Sequence, residues 1–127
     1  MKIAALALTF LVGILVCSIA SAEKFDDYYK AAEASRLSGK PLVIVLSGQF
    51  CPWCEKQKME LNRGIHTEFN WVVVPAKLYP QYTIKGKGIP QLCILTKVGP
   101  VWTKKTYVGY KETKRIKELI KWHQKKK

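Results

Sequence analysis

Two cysteines three positions apart lie between an apolar segment and a helical segment of the sequence. Cys51 and Cys54 enclose a Pro-Trp dipeptide. Residues 42–46, just upstream, are continuously apolar and rich in β-branched side chains, which predicts a strand buried on both faces. Residues 55–62, just downstream, predict a helix. The pair therefore falls at the junction of a strand and a helix.

This junction favours redox chemistry at the first cysteine. Unpaired backbone N–H groups and the positive end of the helix dipole stabilise a thiolate at a helix N-terminus. The thiolate is the attacking species in thiol–disulfide exchange, so Cys51 is the predicted nucleophile and Cys54, one turn inside the helix, the resolving thiol. Pro52 fits the first helical turn. Together with Trp53 it shapes the gap between the two sulfur atoms.

Other uses of a Cys-x-x-Cys pair fit this sequence less well. Structural zinc needs four ligands, and His66 and His123 show no metal-like spacing. A structural disulfide that closes so short a loop constrains the unfolded chain little. Soft thiolates do suit Cu(I), although no methionine or histidine lies next to the pair. A non-enzymatic adaptor or Cu(I)-binding module therefore stays as the alternative to an oxidoreductase.

The first 22 residues predict a secretory signal peptide, followed by one domain over residues 23–127. Lys2 precedes an almost unbroken apolar run over residues 3–19, and Ala20 and Ala22 are small residues at the −3 and −1 positions of a cleavage site. An uncleaved anchor is the alternative, but the apolar run is short for a membrane span. Cys17 would leave with the signal peptide. We expect a periplasmic or secreted protein, in a compartment where disulfides persist.

The chain is strongly basic, with 22 Lys and Arg against 9 Asp and Glu, a formal net charge of +13. Without Lys2, 21 − 9 gives +12. We interpret the excess as a solvated basic surface. The alternative is a surface that binds acidic proteins, polyanions or, weakly, an anionic membrane surface. Basic and aromatic residues do not interleave as they do in nucleic-acid readers, so no nucleic-acid partner is expected. We expect a monomer.

The rest of the chain predicts alternating helices and strands. The expected elements are a helix over residues 24–37, a strand over 71–74 extending towards Leu78, a loop over 79–88, strands over 92–96 and 101–108 paired as a hairpin, and a helix over 112–123. Pro90 directly precedes the first hairpin strand. A trans bond is the commoner case there, whereas a cis bond would leave the backbone of Ile89 free to pair with an extended peptide.

These motifs resemble the thioredoxin superfamily over nearly all of residues 24–124. The resemblance is carried by Cys51 to Cys54 after an apolar strand, Lys77-Leu78 ending the next strand, Gly88-Ile89-Pro90 before a hairpin, and Gly109 before a terminal helix. The opening stretch up to Gly39-Lys40-Pro41 is most similar to exported thioredoxin-like domains and to the periplasmic C-terminal domain of the Dsb-type transmembrane reductase. The resemblance implies an α/β fold with a central mixed four-stranded sheet flanked by helices and a shortened middle-helix region.

The resemblance also implies a thiol–disulfide oxidoreductase without a metal or organic cofactor. It assigns the nucleophile to Cys51, the resolving thiol to Cys54, a cis-proline beside the dithiol to Pro90, backbone hydrogen bonds to substrate to Ile89, an exposed apolar contact to Trp53, and a lysine beneath the site to Lys77. Substrates would be cysteines of exported proteins or of a redox partner. Reduction of the substrate is the favoured direction of electron flow.

One position departs from the pattern of this superfamily. Many members carry a buried acid six positions before the first cysteine, and Val45 occupies that position here. Proton transfer to and from Cys54 must then use water or another group, of which Glu55 is the nearest carboxylate in sequence. The remaining conspicuous residues are expected to be structural: Cys93 as a buried core thiol, His123 as a packed edge residue, and Trp71, Trp102 and Trp122 as core or hairpin packing.

Overall fold

A mixed sheet with helices on both faces organises the computed structural model, which describes residues 24–25 and 27–125. In chain order the elements are β1 (Lys24–Phe25), α1 (Tyr28–Ser38), β2 (Leu42–Ser47), α2 (Pro52–Asn62), β3 (Asn70–Pro75), two 3-10 turns (Ala76–Leu78 and Pro80–Tyr82), β4 (Gln91–Val98), β5 (Val101–Val108) and α3 (Thr113–Lys125). The predicted signal peptide, with Cys17, and the last two lysines lie outside the described residues.

The strand order in the sheet is β1-β3-β2-β4-β5. β3 runs parallel to both β1 and β2, whereas β4 is antiparallel to β2 and to β5. Every residue of the central strand β2 is buried. This burial explains its continuous apolar run, because both faces of a central strand are covered. The four predicted strands and their mixed arrangement are confirmed, and β1 adds two residues at one edge.

Alternate residues of β2, β3 and β4 belong to two apolar clusters, one on each side of the sheet. On the side of α2 and α3 the cluster contains Val43, Val45, Leu61, Phe69, Trp71, Leu92, Ile94, Ile116, Leu119 and Ile120. On the side of α1 it contains Ala31, Leu42, Ile44, Leu46, Val72, Val74 and Cys93, with three tyrosines packed against it. The two-residue period of β2 thus divides its side chains between the two clusters.

The predicted start of the first helix is wrong. The helix begins at Tyr28 and not at residue 24, because Asp27 has an extended backbone and its carboxylate accepts a hydrogen bond of 2.8 Å from the Tyr29 N–H. Residues 24–25 instead pair with Trp71 and Val72 of β3. At the other end, Gly39 adopts a left-handed backbone (φ 79°) and ends the helix as predicted.

The predicted extension of the second long strand is also wrong. β3 ends at Pro75, and the chain turns into two 3-10 turns instead of continuing to Leu78. No α-helix occurs in residues 76–90, all of which are described, so the middle-helix region is short, as predicted. Tyr82 holds this segment on the sheet, since the Thr106 hydroxyl donates a hydrogen bond of 2.6 Å to its carbonyl oxygen.

The last helix places its apolar face on the sheet, but one tryptophan differs from its prediction. The buried face consists of Ile116, Leu119 and Ile120. His123 lies partly buried at the edge, where its Nε2 contacts the Tyr107 hydroxyl. The neighbouring Trp122 is 55% exposed, so its prediction as core or hairpin packing is wrong.

The other two tryptophans lie in the sheet, Trp71 in the core and Trp102, partly buried, in the hairpin. Within residues 24–25 and 27–125, no helix combines the length and apolar character needed to cross a bilayer.

Candidate active site

The start of α2 positions the two cysteines. Cys51 is the N-cap residue, with an extended backbone, and the helix begins at Pro52. Its carbonyl oxygen accepts a hydrogen bond of 3.2 Å from the Glu55 N–H, the first of the helical ladder. The preceding residue, Phe50, has a left-handed backbone with φ 53°, which is uncommon for an aromatic residue. This turn connects the β2 end to the helix and brings Cys51 to the surface.

The two sulfur atoms differ in accessibility and in hydrogen bonding. Cys51 and Cys54 form a disulfide. Cys54 is fully buried, whereas Cys51 is partly exposed. The backbone N–H of Cys54 donates a hydrogen bond of 3.1 Å to Cys51 Sγ. An N–H donor at a helix N-terminus stabilises negative charge on that sulfur, which is therefore both the accessible one and the one suited to carry a thiolate.

The Ile89–Pro90 peptide bond is cis, and it lies beside the disulfide. The Ile89 carbonyl oxygen is 3.8 Å from Cys51 Sγ. Pro90 is buried, and its carbonyl oxygen accepts a hydrogen bond of 2.8 Å from the Gly109 N–H. The residues alone favoured a trans bond at this strand start, whereas the resemblance implied the cis bond that the structure has.

Two cavities flank the disulfide and share Ile89. The first, which we call the tryptophan cavity, has a volume of about 400 Å³ and is lined by Trp53, Ile89, Pro90, Gly109 and Tyr110. The second, the phenylalanine cavity, has a volume of about 650 Å³ and is lined by Ser47, Gly48, Gln49, Phe50, Pro75, Ala76, Lys77, Leu78 and Ile89. Ile89, whose carbonyl oxygen lies 3.8 Å from Cys51 Sγ, thus lines both cavities next to the disulfide.

Large apolar side chains around these cavities are open to solvent. Phe50 is fully exposed, Leu78 is 70% exposed and Trp53 is 56% exposed. The Trp53 and Tyr110 rings lie 5.8 Å apart. Lys56 Nζ lies 4.7 Å from the Trp53 ring centroid and 5.1 Å from that of Tyr110, within the range of a cation–π contact. An exposed apolar surface of this kind marks an interaction site.

Comparison with known proteins identifies the fold. No protein-family model matches the sequence, and no curated protein matches it. Solved structures do match. Thioredoxin from Thermus thermophilus matches at a TM-score of 0.57 with 14% identity, over 81% of this chain and 87% of that one. Thioredoxin from Trichomonas vaginalis matches at a TM-score of 0.57 with 16% identity, over 81% of this chain and 99% of that one. A point mutant of a thioredoxin from Halobacterium salinarum matches at a TM-score of 0.60 with 13% identity, over 85% of this chain and 97% of that one.

The chain has a thioredoxin fold. Identities of 13–16% establish the architecture alone. What the site can do is argued below from its own residues.

Two residues that the sequence analysis associated with the site differ in burial, Lys77 being exposed and Val45 buried. Lys77 is exposed on the first 3-10 turn and lines the phenylalanine cavity. Val45 is fully buried in β2 and carries no ionisable group. Glu55 is 67% exposed and forms an ion pair of 2.8 Å with Lys58. Neither Val45 nor Glu55 therefore presents a free carboxylate to Cys54.

A buried amide ties α2 to the loop that carries Tyr110. Gln57 is fully buried, and its side chain donates to the Lys111 carbonyl oxygen (2.9 Å) and accepts from the Lys111 N–H (2.7 Å). Glu60 accepts a hydrogen bond of 2.8 Å from the Thr113 N–H, and this bond lowers the pKa of the Glu60 carboxyl. These bonds fix one wall of the tryptophan cavity relative to Trp53.

Cys93, the other described thiol, lies apart from this site. It is fully buried and free, in the cluster on the α1 side of the sheet, as predicted. Burial raises the pKa of the Cys93 thiol, although a hydrogen bond with Thr106 opposes the shift. Among residues 24–25 and 27–125, no group of three or more His, Cys, Asp or Glu side chains is arranged to hold a metal ion.

Sequence reasoning missed four side chains of the site: Phe50, Lys56, Leu78 and Tyr110. Phe50 adjoins the first cysteine, and this position was its only signal. The other three reach the site through the turn after β3, the surface of α2 and the loop before α3. A pattern within one segment does not reveal such neighbours.

Proposed function

We propose that the chain is a thiol–disulfide oxidoreductase that reduces disulfides of exported proteins. One observation carries the proposal: Cys51 is accessible at the start of α2 and accepts an N–H hydrogen bond, while its disulfide partner Cys54 is fully buried. This asymmetry suits a nucleophile that meets the substrate and a resolving thiol that does not. The thioredoxin fold and the nearness of the Ile89 carbonyl oxygen to Cys51 Sγ support it.

The reaction is two successive thiol–disulfide exchanges. The Cys51 thiolate attacks one sulfur of a substrate disulfide, so that a mixed disulfide forms and one substrate thiolate leaves. The Cys54 thiolate then attacks Cys51 Sγ, which closes the Cys51–Cys54 disulfide and releases the second substrate thiolate. Two electrons pass from the dithiol of the chain to the substrate, and the leaving thiolates take protons from water. A dithiol of a redox partner protein would reopen the Cys51–Cys54 disulfide by the reverse exchanges.

Substrate would bind as an extended segment across the disulfide. The Ile89 carbonyl oxygen lies 3.8 Å from Cys51 Sγ, so a peptide paired with the Ile89 backbone would have its cysteine beside the nucleophile. Trp53 and Tyr110 offer an apolar wall next to it. Such contacts depend little on the identity of the substrate, which suits a range of cysteine-containing proteins.

The sequence, and not the structure, supports the exported location. The apolar residues 3–19 and the small residues before position 23 fit a cleaved signal peptide. The resemblance to exported thioredoxin-like domains and to the periplasmic domain of the Dsb-type reductase favours the same location and the reducing direction. We propose on these grounds a periplasmic or secreted reductase.

Insulin reduction tests the activity. With a small dithiol as the electron source, wild-type protein is expected to accelerate insulin precipitation, and Cys54→Ser is expected to accumulate a mixed disulfide that a non-reducing gel detects. Wild-type inactivity together with tight Cu(I) binding would overturn the proposal in favour of the metal-binding alternative.

The direction of electron flow is tested by the reduction potential of the Cys51–Cys54 couple, equilibrated against glutathione. A value near that of thioredoxin, about −270 mV, supports a reductase. A value near the strongly oxidising end, about −120 mV, would overturn the reducing direction.

A further inference from the structure

We infer that the site prefers cysteines in acidic segments with apolar neighbours, and that the two cavities and three lysines around the disulfide select them. This inference rests on the proposed function and names its substrate class. The two cavities supply the apolar contacts. Lys56, Lys77 and Lys111 supply the positive charge.

The shared position of Ile89 defines how a substrate segment would lie. Ile89 lines both cavities, and its carbonyl oxygen is 3.8 Å from Cys51 Sγ. Side chains two positions apart in an extended peptide lie on the same face. When the peptide cysteine points towards Cys51, the side chains two positions before and two positions after it therefore extend over the tryptophan cavity and the phenylalanine cavity.

Both cavities present apolar surface to these flanking residues. Trp53 and Tyr110 form one wall, and Phe50 and Leu78 extend from the other side with most of their surface in solvent. Gly48 lets the Ile89 side chain approach the backbone in the phenylalanine cavity, because a Cβ there would lie 2.6 Å from Ile89 Cδ1. A leucine or phenylalanine two positions before or after the substrate cysteine would cover this surface.

Three lysines lie at or next to the cavities. Lys56 Nζ lies over the Trp53 and Tyr110 rings, and Lys77 lines the phenylalanine cavity. Lys111 Nζ lies 3.9 Å from the Cβ position of Gly109, which lines the tryptophan cavity.

The cavity walls themselves carry lysine but no carboxylate. The residues that line the two cavities include no Asp or Glu. The nearby carboxylates have partners of their own. Glu60 accepts hydrogen bonds from the Thr113 N–H and the Tyr110 hydroxyl. Glu55 forms an exposed ion pair with Lys58.

This arrangement favours acidic substrates over basic ones. A charged rim acts mainly on the rate of encounter and on the rejection of like-charged partners. Exposed ion pairs contribute little individually, so each lysine should change the rate about two- to fivefold, and two together about tenfold. The effect should fall as salt screens the charges.

Reduced protein and three peptide disulfides provide the test. Each is a symmetric disulfide of a short peptide with leucine two positions before and two positions after one cysteine, serine next to the cysteine on each side, and glutamates, serines or lysines outside the leucines. The second-order rate constant for oxidation of the chain is divided by that of dithiothreitol with the same peptide, which corrects for the intrinsic reactivity of each disulfide. We expect the normalised constant to fall at least tenfold from the glutamate to the lysine peptide. A fourth peptide, with glycine in place of leucine and glutamates outward, should react more slowly than its leucine counterpart.

Matched charge reversals assign the preference to the site. The double variant Lys56→Glu/Lys77→Glu should lose or reverse the preference. The control Lys97→Glu/Lys121→Glu carries the same change in net charge on exposed residues of β4 and α3, and should retain it. Loss of preference in the control would assign it to net charge and overturn the inference.

The remaining outcomes separate this inference from the proposed function. Equal normalised constants for the glutamate and lysine peptides, with insulin still reduced, would overturn the inference alone. No reduction of any peptide or of insulin would overturn the inference and the proposed function together.

Discussion

Cys51 and Cys93 are the same side chain in two opposite settings. Cys51 caps a helix at the surface, and a backbone N–H donates to its sulfur. Cys93 lies in β4 and is fully buried in the apolar cluster on the α1 side of the sheet. The first setting stabilises a thiolate and exposes it, whereas the second disfavours the charge and excludes reagents. The surroundings of each cysteine therefore determine its reactivity in this chain.

The largest expected difference between the two cysteines is in activity. Cys51→Ser should reduce insulin-reductase activity by roughly three orders of magnitude or more, because the attacking sulfur is lost. Cys93→Ala should leave the activity of the folded protein within about twofold of wild type, since it alters only core packing. Initial rates at matched concentrations of folded protein measure both effects.

Far-ultraviolet circular dichroism serves as the folding control for both variants. A Cys93→Ala protein that is folded but inactive would contradict the assignment of Cys93 to the core, and an active Cys51→Ser protein would contradict its assignment as nucleophile.

Local patterns in the sequence predict most of the fold. The continuous apolar run of β2 and the hairpin of β4 and β5 follow from burial and turn chemistry that act within each segment. The start of α1 was misjudged because aromatic residues near it fit a helical period, while Asp27 caps the helix later. The pairing of β1 with β3 joins residues about 47 positions apart, and no local pattern contains it.

The residues of the site likewise fall into those that local sequence patterns predict and those that only distant contacts bring together. Two thiols before a helix identify Cys51 and Cys54 from the sequence, because spacing and helix position are local properties. The Tyr110 wall depends on hydrogen bonds between Gln57 and the backbone of Lys111, 54 residues apart. The nearness of Lys56 to this wall depends on the same contact. The contact between Lys56 and Tyr110 can be identified only once the loop before α3 has been located beside α2.

The second comparison of the cysteines is their rate of alkylation. With the chain reduced and folded, iodoacetamide near neutral pH should modify Cys51 first and Cys54 more slowly. Cys93 should react at least about 100-fold more slowly than Cys51, because its sulfur is reached only when the core opens. Mass spectrometry of peptides sampled over time gives the three rates.

Denaturant provides the control for alkylation. In about 6 M guanidinium chloride the three thiols should react at similar rates, because each has the environment of an unfolded chain. If Cys93 in the folded chain reacts as fast as Cys51, the contrast between the two settings is wrong.

The smallest expected effect is on the pH dependence of stability. Burial raises the pKa of the Cys93 thiol above its unfolded value of about 8.5. Below that pH both states hold the proton, and the free energy of unfolding is unaffected by this group. Above it the unfolded chain loses the proton while the folded chain keeps it, so stability falls as pH rises. The loss should grow with each step in pH above about 8.5.

Urea unfolding of wild type and Cys93→Ala between about pH 7 and pH 9.5, with the Cys51–Cys54 disulfide closed, isolates this contribution. The closed disulfide removes two thiols that would otherwise titrate in the same range. Tyrosines whose pKa is raised by burial, Tyr79 and Tyr107 among them, contribute equally to both proteins and cancel in the difference. Wild type should lose stability more steeply than Cys93→Ala above about pH 8.5. Parallel curves would mean that Cys93 ionises alike in both states, and the core setting described for it would then be wrong.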